Sequence, residues 1–179
     1  MNKPLNYYEL FGLDAKFSLN LSELSATYQA LQKTVHPDRF AHSSSQEQLI
    51  AVQKSAEIND AFQTLKQPVA RGEYLLKLRG TELPSEQETV QDIGFLMEQM
   101  ELREMLADIE HASDVDAAIF AAQETLDVQS QHLWQQVAEL LSADIKEDNI
   151  KASELLRKLK FYNKLQIELE RIEDTLFDD

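Results

Sequence analysis

The segment His36-Pro37-Asp38-Arg39-Phe40 separates two helical patterns and decides the fold of the first half of the chain. Over residues 22–35, apolar side chains recur at spacings of three and four, which is typical of one buried helix face. Proline disfavours helical geometry in the residue before it, so this helix should end near Val35. A second amphipathic pattern covers residues 46–66 and should end at Pro68. The sequence therefore predicts a helical hairpin whose arms are joined by a polar, conformationally restricted loop.

Two shorter helices are predicted around this hairpin. One lies near Tyr7 and ends at Gly12, and the other covers residues 69–78 and ends at Gly80. Glycine readily takes the left-handed conformation that closes a helix, which is why both glycines indicate helix ends.

The chain is predicted to contain two modules. The first covers residues 1–80, and the second covers residues 92–179. Between them, residues 81–91 are polar and include Pro84, which is typical of a linker. With no strand pattern anywhere, the predicted fold class is all-α.

The second module contains three long helical patterns, over residues 90–111, 114–142 and 149–177. Ser113, followed three residues later by Asp116, is expected to open the second of these helices. Because the connections are short, the simplest way to bury the three apolar stripes is an antiparallel three-helix bundle.

Charge is distributed unevenly along the 179 residues, whose net charge is −15. Residues 1–80 hold nine basic and eight acidic groups, whereas residues 81–179 hold eight and twenty-four. Such a difference suggests two modules with different partners. The acidic balance opposes binding to nucleic acid or to an anionic membrane, and no apolar run is long enough to span a membrane.

Several kinds of catalytic and metal site are disfavoured by the sequence. There is no cysteine, and the four histidines form no i, i+4 pair, so a closed zinc site lacks its ligands. Glycine-rich phosphate loops and the GxSxG motif are absent, and the acidic helices lack the Glu-x-x-His pairs of carboxylate metal bundles. We expect no metal, no cofactor and no enzymatic activity.

The loop residues His36, Pro37 and Asp38 suit a docking role. Proline restricts the loop, histidine presents an amphipathic ring, and aspartate offers an acceptor-only charge that fits an arginine on a partner. The alternative is that these are ordinary solvated loop residues and that Pro37 only ends a helix.

The helix predicted over residues 90–111 carries two apolar groups instead of one. At about 100° per residue, Phe95, Leu102, Leu106 and Ile109 fall on one side and should face the bundle. The opposite side is expected to form an apolar patch edged with negative charge, whose members are Ile93, Leu96, Met97, Met100, Glu101, Glu104 and Asp108. Exposed methionine-containing patches often bind other proteins.

Two alternatives concern this patch and its surroundings. Leu96, Met97 and Met100 could instead pack beneath the first module and join the two domains. Phe161 lies at the edge of the apolar stripe of the last helix, so it is either partly exposed beside the patch or a residue at the rim of the core.

An HPD loop between two helices (residues 36–40), followed by an acidic three-helix bundle, resembles the HscB family, the J-domain co-chaperones of iron-sulfur cluster assembly. The resemblance covers essentially the whole chain. Its most specific segments are Tyr8-Glu-Leu-Phe-Gly-Leu13, His36-Pro-Asp-Arg-Phe40, Arg71-Gly-Glu-Tyr-Leu-Leu76, Phe95-Leu-Met-Glu-Gln-Met-Glu-Leu-Arg-Glu104 and Arg157-Lys-Leu-Lys-Phe-Tyr162.

This resemblance implies two partners. The HPD loop would stimulate ATP hydrolysis by an HscA-type, DnaK-like chaperone, and the bundle would hold the IscU-type scaffold on which clusters are built. Chaperone binding would fall on His36, Pro37, Asp38, Arg39 and Lys33, and scaffold binding on Leu96, Met97, Met100, Glu101, Glu104, Asp108 and Phe161. A J-domain co-chaperone for a different client is the second hypothesis. Eukaryotic relatives often carry an N-terminal zinc module with paired cysteines, which this sequence lacks, so we expect a bacterial source. Because no targeting segment is visible, we expect a cytoplasmic protein.

One feature departs from most J-domains, which carry several basic residues on the helix before the HPD loop. Residues 22–35 contain only Lys33 and one acid, Glu23. Electrostatic steering toward an acidic chaperone surface should therefore be weak, which puts pairing with general DnaK chaperones in doubt.

Overall fold

Helices make up the regular structure of the described parts of the chain, residues 3–85 and 92–177 of a computed structural model. These residues contain no strand, so the predicted all-α fold class is confirmed. The chain divides into two compact units, Met1–Thr81 and Glu82–Asp179. Part of the predicted linker, residues 86–91, lies outside the described residues.

The first unit is built around the helical hairpin. Its helices are α1 (Tyr7–Leu10), α2 (Leu21–Val35), α3 (Ser45–Lys66) and α4 (Pro68–Leu78), with a 3-10 turn over Pro37–Phe40 between α2 and α3. Asn20 caps the start of α2, and Ser44 forms a reciprocal capping box with Glu47 at the start of α3. These caps satisfy backbone N–H groups that the helices leave unpaired, and they set where each arm of the hairpin begins.

Glycine ends α1 and α4 as predicted. Gly12 has φ +66° and Gly80 has φ +76°, values that residues with a side chain rarely adopt. After α4, the Gly80 amide donates to the Lys77 carbonyl and the Thr81 amide donates to the Leu76 carbonyl, which is a Schellman motif.

The two arms of the hairpin are locked together next to the HPD loop. Tyr28 on α2 stacks on Phe62 on α3, with ring centroids 4.1 Å apart. Gln32 and Ser55 exchange two hydrogen bonds, from Gln32 Nε2 to the Ser55 carbonyl and from Ser55 Oγ to Gln32 Oε1. These contacts fix the position of α2 against α3.

Arg71 joins α4 to the rest of the first unit from a buried position. Its Nε donates to the Phe17 carbonyl and its Nη1 donates to the Leu65 carbonyl, each at 2.7 Å. The guanidinium also lies over the Phe17 ring. The two carbonyls and the ring offset the cost of burying this charge. The Leu65 carbonyl, in the last turn of α3, gains a hydrogen-bond donor from the same contact.

The second unit is a bundle of α5 (Ile93–Ala107), α6 (Val115–Leu140) and α7 (Lys146–Phe177), so the predicted three-helix architecture is confirmed. The backbones of α6 and α7 approach each other closely, whereas α5 contacts this pair mainly through large side chains. The shared core contains Phe95, Leu102, Leu106, Ile109, Ile119, Ala122, Leu126, Phe161, Tyr162, Leu165 and Leu169.

Helix ends in the bundle differ from the predicted ones. The pattern over 90–111 breaks after Ala107, and a 3-10 turn over Ile109–His111 redirects the chain while keeping Ile109 in the core. Residues 90 and 91 of that pattern lie outside the described residues.

The start of α6 was also predicted incorrectly. Asp114, not Ser113, caps this helix, because its carboxylate accepts a hydrogen bond from the Ala117 amide at 3.0 Å. The last helix begins at Lys146, three residues before the predicted start, and buried Asn149 in its first turn donates to Asp144 Oδ1.

We predict that Tyr8→Phe stabilises the first unit. Tyr8 is fully buried, and its hydroxyl has no hydrogen-bond partner among the described residues. Removing an unpaired buried hydroxyl should raise the free energy of unfolding by about 1 kcal/mol at neutral pH. Urea unfolding checks this, with Tyr28→Phe as the control, since the Tyr28 hydroxyl donates to Asn59 Oδ1 and its loss should lower stability.

Tyr8→Phe should also reduce the stability that the protein loses at alkaline pH. Burial raises the pKa of Tyr8 to about 12, above the ordinary value of about 10. The unfolded protein therefore loses this proton first, and the wild type should lose stability as the pH rises above about 10. Tyr8→Phe should lose less over that range. An equal loss in both proteins would contradict the assignment of the alkaline effect to Tyr8.

Candidate functional site

The HPD loop (residues 36–40) is exposed and locally ordered. His36 ends α2 with extended backbone angles, as its position before proline requires, and Pro37 begins the 3-10 turn. His36 Nδ1 accepts a hydrogen bond from the Asp38 amide at 3.3 Å, which fixes the imidazole on the loop. The Asp38 side chain is 91% exposed, so its carboxylate is presented to solvent. This arrangement can accept hydrogen bonds from a basic partner residue.

A hydrogen bond between Arg39, in the 3-10 turn, and Lys33, in the last turn of α2, supports the loop. Arg39 Nη1 donates to the Lys33 carbonyl at 2.8 Å, which closes the C-terminal end of α2 beside the HPD loop. Both side chains are exposed. The structure thus brings together all five residues predicted for chaperone binding, with Arg39 holding the loop in place as well as flanking it.

A shallow groove of about 640 Å³ runs from the HPD loop between α2 and α3. Its lining is mostly apolar or neutral, apart from Lys33 and His36. The residues that line it are Tyr28, Gln29, Gln32, Lys33, His36, Pro37, Val52, Ser55, Ala56 and Asn59. Sequence reasoning did not include the α3 side of this groove, although Val52 and Ala56 lie one helical turn apart.

The α5 patch has the two-sided arrangement that the sequence predicts. Phe95, Leu102 and Leu106 are buried, whereas Met97 is 58% and Met100 72% exposed on the opposite side. The α5 patch is defined here as the exposed residues Ile93, Leu96, Met97, Met100, Glu101, Glu104 and Asp108. An apolar surface with an acidic edge fits a partner whose apolar surface has a basic edge.

Phe161 does not belong to this exposed surface. Of the two alternatives that the sequence left open, partial exposure is wrong and a position at the rim of the core is confirmed, because the side chain is only 9% exposed and its ring packs edge-to-face against Phe95, with centroids 5.8 Å apart. Phe161 is therefore a residue at the rim of the core that supports α5 from beneath. Arg103 on α5 covers the outer side of the ring, with its guanidinium carbon 5.4 Å from the centroid.

Polar contacts between α5 and α7 were missed by sequence reasoning. Lys158 Nζ lies 3.2 Å from Asp92 Oδ2 at the start of α5, and Arg103 Nη1 lies 3.6 Å from Glu168 Oε2 near its end. The few lysine and arginine residues of this otherwise acidic unit were the signal from which such ion pairs could have been predicted. These pairs fix the position of α5 along α7.

A third contact connects all three helices. The Tyr162 hydroxyl on α7 lies within hydrogen-bond distance of Glu98 on α5 and Gln129 on α6. Burial, together with the Glu98 carboxylate, raises the pKa of Tyr162 above its usual range. A buried tyrosine hydroxyl needs a hydrogen-bond partner. The position of Tyr162 on the apolar stripe of the last helix could therefore have predicted a polar contact here.

Within residues 3–85 and 92–177, no three His, Asp or Glu side chains come close enough to hold a metal ion. In the same residues, no helix is both long and apolar enough to cross a membrane.

Comparison with known families matches both units. Residues 6–74 match the family described as DnaJ domain, and residues 91–170 match the family described as HSCB C-terminal oligomerisation domain. Together these matches cover most of the chain.

Known proteins resemble the chain over almost its full length. "Co-chaperone protein HscB homolog" from Colwellia psychrerythraea is 54% identical, covering 98% of this chain and 100% of the relative. The protein of the same name from Aeromonas hydrophila is 49% identical, covering 97% and 99%. The solved structure "Chaperone HscB from Vibrio cholerae" is 45% identical with a TM-score of 0.88, covering 97% of this chain and 100% of that one. Human co-chaperone protein HscB is 28% identical with a TM-score of 0.87, covering 97% and 84%.

We predict that Asp92→Ala lowers the melting temperature of the second unit in a pH-dependent way. The Asp92 carboxylate accepts a hydrogen bond from the Phe95 amide and pairs with Lys158, and these contacts lower its pKa. Its stabilising effect should be complete above about pH 4 and should disappear as the pH falls through the lowered pKa. Thermal melts at neutral and acidic pH measure this.

Asp92→Asn is the matched control, because it keeps a capping oxygen and removes the charge. Its melting temperature should lie between those of the wild type and Asp92→Ala near neutral pH. If the alanine variant showed the same deficit at every pH, the effect would come from something other than the carboxylate.

Proposed function

Since the chain belongs to the HscB family of co-chaperones, we propose that it binds an IscU-type iron-sulfur scaffold and delivers it to an HscA-type, DnaK-like chaperone. In this proposal the HPD loop stimulates the ATPase of the chaperone while the α5 patch holds the scaffold. The observation that carries it is one chain with two separately folded units, one with an exposed HPD loop and one with an exposed apolar and acidic helix face.

The chaperone side of the proposal rests on the geometry of the HPD loop. The Asp38 amide is bonded to His36 and the Asp38 carboxylate is exposed beside it, where it can pair with an arginine of the chaperone. The neighbouring groove adds an apolar surface on which a chaperone segment can rest. Because Lys33 is the only lysine or arginine lining that groove, this association should depend weakly on salt.

The scaffold side rests on the α5 patch. Leu96, Met97 and Met100 offer apolar area that a bound partner would remove from water, and Glu101 and Glu104 would select a partner with basic residues around its own apolar surface. Phe161 contributes indirectly in this proposal, by supporting α5 through Phe95.

The proposed role is that of a non-enzymatic adaptor. His36 uses its Nδ1 to hold the loop, and residues 36–40 contain no serine, threonine or cysteine for it to activate. The relatives from Colwellia and Aeromonas are bacterial, and we place the activity of this protein in the cytoplasm.

A J-domain co-chaperone for a different client remains the alternative function. The α5 patch favours it as much as it favours the scaffold, because an apolar surface with an acidic edge is not specific to one partner. Pull-down of the scaffold with this protein distinguishes the two functions.

We predict that Asp38→Asn abolishes stimulation of the chaperone ATPase and leaves scaffold affinity unchanged. The change removes the exposed charge and preserves the amide that bonds to His36. Single-turnover ATP hydrolysis by the HscA-type chaperone, measured with this protein, the scaffold, both or neither, tests it. Synergy in the wild type is expected. Stimulation that the scaffold never enhances would favour the different client, and no stimulation would contradict the chaperone role.

We predict that Leu96→Ala combined with Met100→Ala weakens scaffold binding at least tenfold and leaves stimulation without scaffold intact. Both side chains are exposed, so their truncation should change stability by less than about 0.5 kcal/mol. Isothermal titration measures the affinity. Phe120→Ala is the control, since this side chain is 72% exposed on α6.

Phe161→Ala does not test whether the α5 patch binds the scaffold. Its ring is part of the bundle core, and truncating a buried phenylalanine typically costs about 3–5 kcal/mol of stability. A loss of binding in that variant would not distinguish contact with the scaffold from collapse of α5.

A further inference from the structure

A single buried hydroxyl connects the three helices of the bundle. Tyr162 on α7 is almost completely buried, and its hydroxyl contacts Glu98 on α5 and Gln129 on α6. A phenolic hydroxyl has one proton and donates to one acceptor at a time. The carboxylate of Glu98 is the stronger acceptor, so the α5 contact is the charge-assisted one.

Glu98 lies at one edge of the buried face of α5. At about 100° per residue, it lies roughly 60° to one side of Phe95, the middle of the buried face. Arg103 lies roughly 80° to the other side, where it pairs with Glu168 on α7. The buried face of α5 is therefore held by a polar contact on each flank, and together these contacts oppose rotation of the helix about its axis.

The two flanking contacts are not equal. Arg103 and Glu168 are each about half exposed and 3.6 Å apart, and an exposed pair of this kind contributes little. Tyr162 itself is only 1% exposed, while Glu98 and Gln129 are half-buried, so this contact is less exposed than the Arg103 pair and its loss should cost more. Phe95, Leu102 and Leu106 anchor the buried face of α5, and the Tyr162 hydroxyl adds a directional contact that helps to set the rotation of the helix.

We propose that Tyr162 is a positioning residue for the α5 patch, fixing through Glu98 the rotation of α5 at which Leu96, Met97 and Met100 face a partner. The inference rests on the proposed function, in which this patch binds the scaffold. A rotated α5 would turn part of the patch toward its neighbours, so a scaffold would have to restore the rotation at a cost to its affinity.

The test is Tyr162→Phe, which keeps the buried ring and removes only the hydroxyl. We expect the dissociation constant for the scaffold to rise roughly threefold to tenfold, with chaperone stimulation in the absence of scaffold unchanged. Tyr74→Phe is the matched control, because it removes a hydroxyl that accepts from the Tyr7 amide in the first unit. That variant should bind the scaffold like the wild type.

A second readout needs no partner. The chain has four methionines, and two of them, Met97 and Met100, lie on the α5 patch. Their methyl resonances in NMR spectra should shift or broaden in Tyr162→Phe and remain unchanged in Tyr74→Phe. A folded Tyr162→Phe protein with wild-type methionine resonances and wild-type affinity would overturn the positioning role.

Variants of Glu98 decide the question if Tyr162→Phe does not fold. Glu98→Gln keeps an oxygen that can accept from the hydroxyl and should retain affinity, whereas Glu98→Leu should lose it. Equal affinities for these two variants would overturn the proposal. Failure of the wild type to bind the scaffold at all would instead overturn the proposed function, while changed methionine resonances in Tyr162→Phe would still support the positioning role.

Discussion

The attachment of α5 to the α6–α7 pair is the interaction on which the second unit depends. This helix carries apolar side chains on two opposite faces, and only one face can be buried against the pair. Phe95, Leu102 and Leu106 occupy the buried face, so Met97 and Met100 remain in water. Such exposure is unfavourable for an isolated protein, and a partner that covers it removes the cost.

The first unit depends on a local constraint instead. Pro37 stops α2 and begins a tight turn, and the contacts of Tyr28 and Gln32 with α3 hold the two arms in place. Within the loop, the Asp38 amide donates to His36 and the Arg39 side chain donates to the Lys33 carbonyl, so local hydrogen bonds define the shape of this exposed segment.

The two proposed interfaces differ in their charge. The α2–α3 groove is nearly uncharged, whereas the α5 patch has Glu101 and Glu104 at its edge within a strongly acidic unit. Charge should therefore matter more for meeting the scaffold than for meeting the chaperone. The position of α5 matters as well, because a patch on a helix presents the right residues only at one rotation.

Periodicity and helix-ending residues determined the hairpin, the glycine stops and the division of α5 into two faces. These features depend on backbone chemistry and on the angle of each residue about one helix axis. The burial of Phe161, the cap at Asp114 and the contact between Tyr162 and Glu98 were decided by the tertiary structure. They depend on where neighbouring helices lie and how far apart they are, and only the packing of side chains from all the helices together sets those distances.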